Sequence, residues 1–529
     1  MSTAGAAWRL ARAGWILVRE GVIAAIPGEE LTGIPRTGWR LARLMTRRRA
    51  KGSIRSDRLA AAVTRLGPSW VKLGQFLATR PDVVGNDIAL DLARLQDRMA
   101  TFPKAAAVAQ VEASLGRPIG DLYASFGEPV AAASIAQVHP AEVMEPDGRL
   151  TKMAVKVIRP GVRRLFNRDL ESYFLAARLQ ERFIPSSRRL RPVEVTQTLA
   201  QTTKVEMDLR LEAAALSELG ENTRDDSGFR VPFVDWARTG RDVVTMEWID
   251  GTKMSDVAAI RQAGHDLEAI AATLVQSFLR HTLRDGFFHA DMHPGNLFVE
   301  PDGTIVAVDL GISGRLGRKE RRFLAEILHG FITRDYRRVA EVHFEAGYVP
   351  RTHDVAAFAQ AIRAIGEPIH GQPAETISMA RLLTLLFEVT EIFDMETRPE
   401  LVMLQKTMVV VEGVARTLDP HFNMWKTAEP VVKTWIIQNL GPRGLLDDAR
   451  EGGAALLSLL RQAPDLAART ERLTREIDAM AEHGLRFDDA TARRIGKAEA
   501  RATRWGRIAL WVIAAAALWI AWTLSRLLI

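Results

Sequence analysis

The chain has 529 residues, more than one compact domain normally uses, and roughly two or three structural units are expected. Hydrophobic residues make up 47% and charged ones 26%, ordinary globular proportions that argue against disorder, collagen and a multi-span transporter. Cysteine is absent, which excludes disulfides, cysteine zinc sites, iron–sulfur clusters and thiol nucleophiles. The net charge of +7 is unevenly spread: residues 1–60 carry 12 Lys/Arg against four acids, Glu20, Glu29, Glu30 and Asp57, and the rest is close to neutral. A basic end on a neutral body points to an anionic surface, either membrane or nucleic acid.

At the N-terminus, Arg9, Arg12, Arg19 and Glu20 interrupt any signal-peptide core. At 100° per residue they share one helical sector of about 100°, with Trp8, Leu10, Trp15, Leu17, Val18 and Val22 on the rest. Arg40, Arg43, Arg47, Arg48, Arg49 and Lys51 follow. The pattern predicts an interfacial amphipathic helix and a polybasic stretch, 1–60, with packing against the protein's own body as the alternative. Helical periodicity dominates residues 53–125. Between 127 and 160 it gives way to strand, turn, strand: Ala136 to His139, Pro146-Asp147-Gly148, then Met153 to Ile158. Helix returns over 161–222, a strand follows at Val243 to Trp248, and a hairpin is expected over Leu297 to Val308. The remainder to residue 500 reads as helix.

From Ile508 to Leu524 there are 17 residues without a charge, three of them tryptophan. Spanning a bilayer core takes about 20 mostly apolar residues, and the basic run Arg493, Arg494, Lys497, Arg501, Arg504 and Arg507 precedes this one. A transmembrane helix over 505–529 is therefore expected, with the upstream chain cytoplasmic. Membrane rather than nucleic acid becomes the expected anionic partner. The whole reads as an α+β two-lobed protein.

The most informative stretch is His289-Ala290-Asp291-Met292-His293-Pro294-Gly295-Asn296. Phosphoryl transfer needs a carboxylate near the attacking oxygen and oxygen ligands for magnesium on the phosphates. The kinase catalytic loop places those two roles five residues apart, the spacing of Asp291 and Asn296. Beyond a hairpin comes Asp309-Leu310-Gly311, where the metal-binding D-F-G would sit. Upstream, Ala154-Val155-Lys156 resembles the phosphate-pairing strand lysine. Glu206, Asp208 and Glu212 are candidates for its helix carboxylate; Asp208 and Glu212, four apart, are expected to share a helix face. Met246-Glu247-Trp248 ends a strand where an adenine-binding hinge belongs. The nucleotide is expected beneath Val130, Ala131, Ala132, Ala133, Ser134, Ile135, Ala136, Gln137 and Val138. Alanine there instead of glycine carries a Cβ that restricts close backbone approach, so the phosphates should be held differently.

Taken in order, Lys72-Leu73-Gly74-Gln75, the alanine-rich loop to His139, Lys156, Glu206 with Asp208 and Glu212, His289 to Asn296, and Asp309-Leu310-Gly311 resemble the UbiB family of atypical kinase-like proteins, also called aarF-domain kinases. The resemblance spans about residues 60–430. It implies a kinase-like fold binding ATP and Mg2+, with Asp291 catalytic, Asn296 and Asp309 on the metal, and Lys72 and Gln75 as active-site residues. The Lys-x-Gly-Gln segment, by composition an ordinary helix, would fold over the groove a peptide substrate needs. A Lys72 ammonium beside Glu206 or Asp208 would offset the gathered carboxylates. The implied organisation is a basic segment 1–60, a helical extension 61–126, an N-lobe 127–250, a C-lobe 251–440, a helical tail 441–504 and the span 505–529. The implied activity is hydrolysis or transfer of the ATP γ-phosphate in support of ubiquinone biosynthesis at the bacterial inner membrane. Lipids, polyprenyl quinone precursors and other ubiquinone-biosynthesis proteins are the expected partners. Met292 stands where the family often has proline.

Two alternatives remain from the residues. A soluble small-molecule kinase of the aminoglycoside or choline kinase type has a similar catalytic loop, but neither the C-terminal apolar run nor the Lys-x-Gly-Gln segment suits it. A non-catalytic nucleotide-binding scaffold would have no need of Asp291, Asn296, Asp309 and Lys156 together.

Overall fold

The computed structural model describes residues 3–22, 44–46, 55–78, 84, 88, 91–92, 99–183, 191–370, 389, 392–395 and 399–440. The chain divides into two compact units, Met1–Ile437 and Gln438–Ile529, and the first holds the sites discussed below. Its N-terminal half runs α1 (Thr3–Arg19), α2 (Arg55–Leu66), α3 (Pro68–Ala78), α4 (Lys104–Leu115), α5 (Ile119–Leu122), β1 (Ser125–Phe126), β2 (Ala131–Ala132), β3 (Ala136–Met144) and β4 (Leu150–Ile158). Then come α6 (Val162–Phe183), α7 (Pro192–Glu206), α8 (Leu209–Asn222), β5 (Phe229–Arg230), β6 (Val243–Glu247) and β7 (Thr252–Lys253). The C-terminal half continues with α9 (Val257–Gln262), α10 (Leu267–Arg280), a π-turn His281–Asp285, β8 (Phe287–His289), β9 (Leu297–Val299), β10 (Ile305–Ala307) and β11 (Ser313–Arg315). It ends in α11 (Arg318–Thr333), α12 (Tyr336–Glu345), α13 (Val355–His370), α14 (Pro399–Leu418) and α15 (Met424–Leu440).

An antiparallel sheet in the order β1-β3-β4-β6, with β2 paired to β3, forms the N-lobe. Side chains alternate across β4, as a strand covered on both faces requires. Met153, Val155 and Val157 pack with Ala107 and Val111 of α4, while Ile158 joins the core that contains α8. Lys156 falls on that second face. Because α4 completes the sheet's other face, the lobe begins ahead of residue 127, the boundary expected from the change in periodicity.

In the C-lobe, a four-stranded sheet runs β5-β10-β9-β7, with β5 parallel to β10, and β8 pairs with β11. These strands present the loops carrying Asp291 and Asp309. Beneath them lie α10 and α14, whose Leu274, Phe278, Leu404 and Val411 are buried in one core with Leu297 and Ile305.

The first helix departs from its sequence pattern. Ala6, Arg9 and Ala13 form a docked face: both alanines are buried, and Arg9 reaches Glu171 at 3.0 Å and Ser172 at 2.9 Å on α6. Glu20 accepts from Arg65 at 2.8 Å. Trp8, Arg12, Trp15 and Arg19 are exposed, with the Arg19 guanidinium 5.8 Å from the Trp15 ring centre. The expected charged sector is thus split, because two of its four charges are satisfied inward while the tryptophans face outward. Among the described residues no helix is long and apolar enough to cross a membrane. The span expected at 505–529, the tail 441–504 and the basic residues Arg40, Arg43, Arg47, Arg48, Arg49 and Lys51 lie outside them.

Candidate functional site

Strand register builds the candidate nucleotide face. Ala131, Val138, Lys156 and Val244 are successive cross-strand partners, and Ala154 pairs with Met246, so these side chains share one face of the sheet. The alanine-rich loop above them is closed by hydrogen bonds from Val130 to Val138 O at 2.9 Å and from Ala133 to Ala136 O at 2.8 Å. None of its residues takes a positive φ, so this turn is compatible with alanine in place of glycine. Met99 N–H donates to Ala132 O at 3.3 Å and Arg159 N–H to Ile135 O at 2.7 Å, tying the loop to flanking backbone.

On this face Lys156 Nζ donates to Glu212 Oε1 at 2.7 Å and lies 2.9 Å from Asp309 Oδ1. Burial alone would lower the lysine's pKa, but the Asp309 and Glu212 carboxylates together push it upward. One lysine facing two carboxylates leaves the group a net negative charge. Burial raises Glu212 to about 7 against the pull of Lys156, whereas Lys156 outweighs burial at Asp309 and holds it at about 2. The Glu212 side chain is 5% exposed and that of Asp309 42%, so burial weighs more on Glu212, while Asp309 stays an anion. Asp309 also has a φ of 62°, a left-handed conformation that Asp tolerates better than most residues and that is found enriched at functional sites.

The loop His289 to Asn296 is self-supporting. Asp291 N–H donates to His289 Nδ1 at 3.1 Å, which leaves the proton on Nε2 to donate to Val308 O, also at 3.1 Å. Burial holds His289 below the usual histidine pKa, so it stays neutral in this bridge between the two acidic loops. Asn296 Nδ2 donates to Asp291 O at 3.1 Å, which orients the amide and leaves its oxygen as an acceptor. His293 Nε2 stands 3.8 Å from Asp291 Oδ2. Its ring folds back over Gly295, where a Cβ would meet it at 2.7 Å, so a larger residue there would push the imidazole aside. Met292 is buried in the core.

Three candidate carboxylates separate into three roles. Glu212 pairs with Lys156. Glu206 pairs with Lys72 at 2.5 Å, with side chains 6% and 16% exposed. Asp208 is the N-cap of α8, accepting from Arg210 N–H at 3.3 Å and from its guanidinium at 2.9 and 2.7 Å. Those bonds to Arg210 draw the Asp208 carboxyl below the ordinary range. Lys72 lies on α3, which docks through Ser69 to Asp169 at 2.5 Å and a Trp70–Tyr173 edge contact at 5.1 Å. Gln75 lies on the same helix, partly buried.

Other expected nucleotide contacts are committed elsewhere. Gln137, fully buried, binds Phe102 N at 2.9 Å, Phe102 O at 3.1 Å and His139 at 2.8 Å, so its side chain fastens backbone rather than facing the ligand. Ser134 and Ala136 are buried as well. Both Glu247 oxygens are taken at 2.8 Å by Arg230, which also holds Glu300. Trp248 Nε1 bonds to Asp250 at 2.9 Å, and Lys152 lies 4.2 Å above its ring. At the hinge, Met246 lies on the Lys156 face, while Glu247 is turned to Arg230. Sequence reasoning missed Arg230, which fixes the hinge to the β9–β10 hairpin. Its partners lie 17 and 70 residues away, and no local pattern announces them.

Among the described residues no cluster of three or more His, Asp or Glu forms a metal cage. Mg2+ is ordinarily held by one or two carboxylates together with substrate phosphates and water, and the Asn296 and Asp309 oxygens fit that donor set.

A strand lysine paired to a helix carboxylate, facing two acidic loops from a second lobe, defines a kinase-like protein. Residues 94–343 match the ABC1 atypical kinase-like domain, and residues 362–423 match the UbiB helical domain. A protein of Marinobacter nauticus named "Probable protein kinase UbiB" is 40% identical over 463 residues, 87% of this chain and 83% of the relative. One of the same name from Aeromonas hydrophila is 40% identical over 475 residues, 88% and 86% of the two chains. The chain belongs to the UbiB family of atypical kinases. A solved structure, Rv3197 with erythromycin from Mycobacterium tuberculosis, aligns with a TM-score of 0.44 at 24% identity, covering 75% of this chain and 98% of that one.

Proposed function

We propose that this chain binds Mg-ATP against the Lys156 face and hydrolyses or transfers its γ-phosphate as a membrane-associated enzyme supporting ubiquinone biosynthesis. The observation that carries the reading is Lys156 held between Glu212 and Asp309, beside the loop of Asp291 and Asn296. When bound, Mg2+ supplies charge neutralisation on the β/γ-phosphates, with Asn296 and Asp309 as its protein ligands. Lys156 contributes a fixed positive charge for the phosphates, and Glu212 keeps it aimed. Asp291 accepts the proton of a water or acceptor hydroxyl as that oxygen bonds to γ-phosphorus and the bond to ADP breaks. The α3 helix bearing Lys72 and Gln75 restricts the groove, favouring hydrolysis or a small lipid-like acceptor such as a polyprenyl quinone precursor. Membrane attachment rests on the apolar run 508–524, assisted by the exposed Trp8, Arg12, Trp15 and Arg19 of α1.

Titration of nucleotide with magnesium tests the chemistry. Asp309→Asn should weaken Mg-ATP binding, while Asp291→Asn should bind normally and turn over at no measurable rate. Equal loss of affinity in both would contradict the division of roles. Quinone profiling of a deletion strain tests the pathway, and normal ubiquinone there would reject it. Deleting residues 505–529 should release much of the protein from membranes, with residual binding sensitive to salt.

A further inference from the structure

Helix α14 reaches the catalytic loop through one buried hydroxyl. Thr407 Oγ lies 3.1 Å from the Ala290 carbonyl and 2.9 Å from that of Met403. A threonine hydroxyl has one proton to donate. The Met403 carbonyl sits inside the helix, where the Thr407 amide four residues on already serves it. Ala290 is 3% exposed, so water does not satisfy its carbonyl, and the proton is better used there. The peptide unit between Ala290 and Asp291 is then held at both ends: its carbonyl by Thr407, its N–H by His289 Nδ1. The tilt of that peptide plane sets the backbone of Asp291, and hence where its carboxylate points.

We infer that Thr407 is a positioning residue for Asp291, which makes the UbiB helical domain part of the catalytic apparatus. The inference rests on Asp291 acting in phosphoryl transfer. A misplacement of about 1 Å at such a group costs on the order of a hundredfold in rate.

Steady-state turnover and Mg-ATP affinity are to be measured on full-length Thr407→Val, Thr407→Ser and Asp291→Asn, with rates normalised to nucleotide-binding sites. Thr407→Val should lower kcat by roughly tenfold or more with the Mg-ATP Kd within about twofold of wild type. Thr407→Ser, which keeps the hydroxyl, should restore most of the rate. A merely structural role would lower the melting temperature but leave turnover per binding site unchanged, and that result overturns the inference. So does a folded Thr407→Ser that is tenfold slow, which decides the matter even where the valine variant fails to fold. If Asp291→Asn itself turns over at the wild-type rate, the phosphotransfer reading fails first. If it is inactive while Thr407→Val is normal, only the positioning role fails.

Discussion

Two lysine–glutamate pairs draw on one stretch of chain and serve different ends. Glu212 sits in the first turn of α8 and holds Lys156, which also faces Asp309 and the loops of the second lobe. Glu206 ends α7 and holds Lys72, on a helix docked against α6 by Ser69 and Trp70. Both pairs are largely buried. The first shares its lysine with a second carboxylate, Asp309, proposed above as a magnesium ligand. The second joins two helices, and its lysine compensates a carboxylate taken out of water. For Lys156, the Asp309 carboxylate 2.9 Å away is what ties the pair to the candidate site.

The largest effect separating them is expected at Lys156. Lys156→Met should reduce turnover by roughly a hundredfold or more, as loss of a preorganised charge does, measured at saturating Mg-ATP. Stability should suffer less, because Glu212, with its pKa already raised to about 7, can take up a proton when its partner is lost.

Lys72→Met should act in the opposite sense. Removing one partner of a buried pair costs about 3–5 kcal/mol, and the partial exposure of Lys72 reduces this to roughly 2–3 kcal/mol. Urea unfolding would measure it, and adding Glu206→Gln should recover much of the loss. The family resemblance implies an active-site role for Lys72 with the melting temperature nearly unchanged on its loss; its burial beside Glu206 adds an expected stability cost.

Smaller again is Asp208→Ala, which removes the N-cap of α8 at a cost of about 1 kcal/mol. Asp208→Asn, still able to cap, should lose much less in the same unfolding experiment.

The last expected effect concerns pH. His139, His281, His289 and His343 are buried with pKa values driven below the ordinary histidine range, chiefly by burial. Below about pH 6.5 the unfolded chain therefore binds more protons than the native one, and stability falls as pH falls. The loss grows as pH falls below about 6.5 and fades above it. Melting temperatures across that range would show it. His343→Gln should flatten the slope without touching nucleotide binding, since its Nδ1 faces only the Val339 carbonyl of its own helix.

Much of the geometry of the candidate catalytic loop was legible because its parts are close in sequence. Asp291 and Asn296 share one loop, Asp309 follows a single hairpin, and the strand pattern around Lys156 fixes its face. The sorting of Glu206, Asp208 and Glu212 was not legible. Spacing places Asp208 and Glu212 on one helical face only if the helix is continuous, but the chain breaks at Met207 and makes Asp208 a cap. The inward turn of Gln137 depends on Phe102, 35 residues away, and the capture of Glu247 depends on Arg230. The N-terminal helix misled for the same reason: its amphipathic pattern is genuine, but Glu171 and Arg65 decide which charges face inward.

The central claim is that Lys156 serves the nucleotide and Lys72 serves the docking of α3. Calorimetric titration of Mg-ATP into Lys156→Met and Lys72→Met, both at a temperature where each is folded, tests it most directly. The account predicts at least about a tenfold loss of affinity for Lys156→Met and a change within about threefold for Lys72→Met. Equal loss in the two variants, or a larger loss for Lys72→Met, would contradict it.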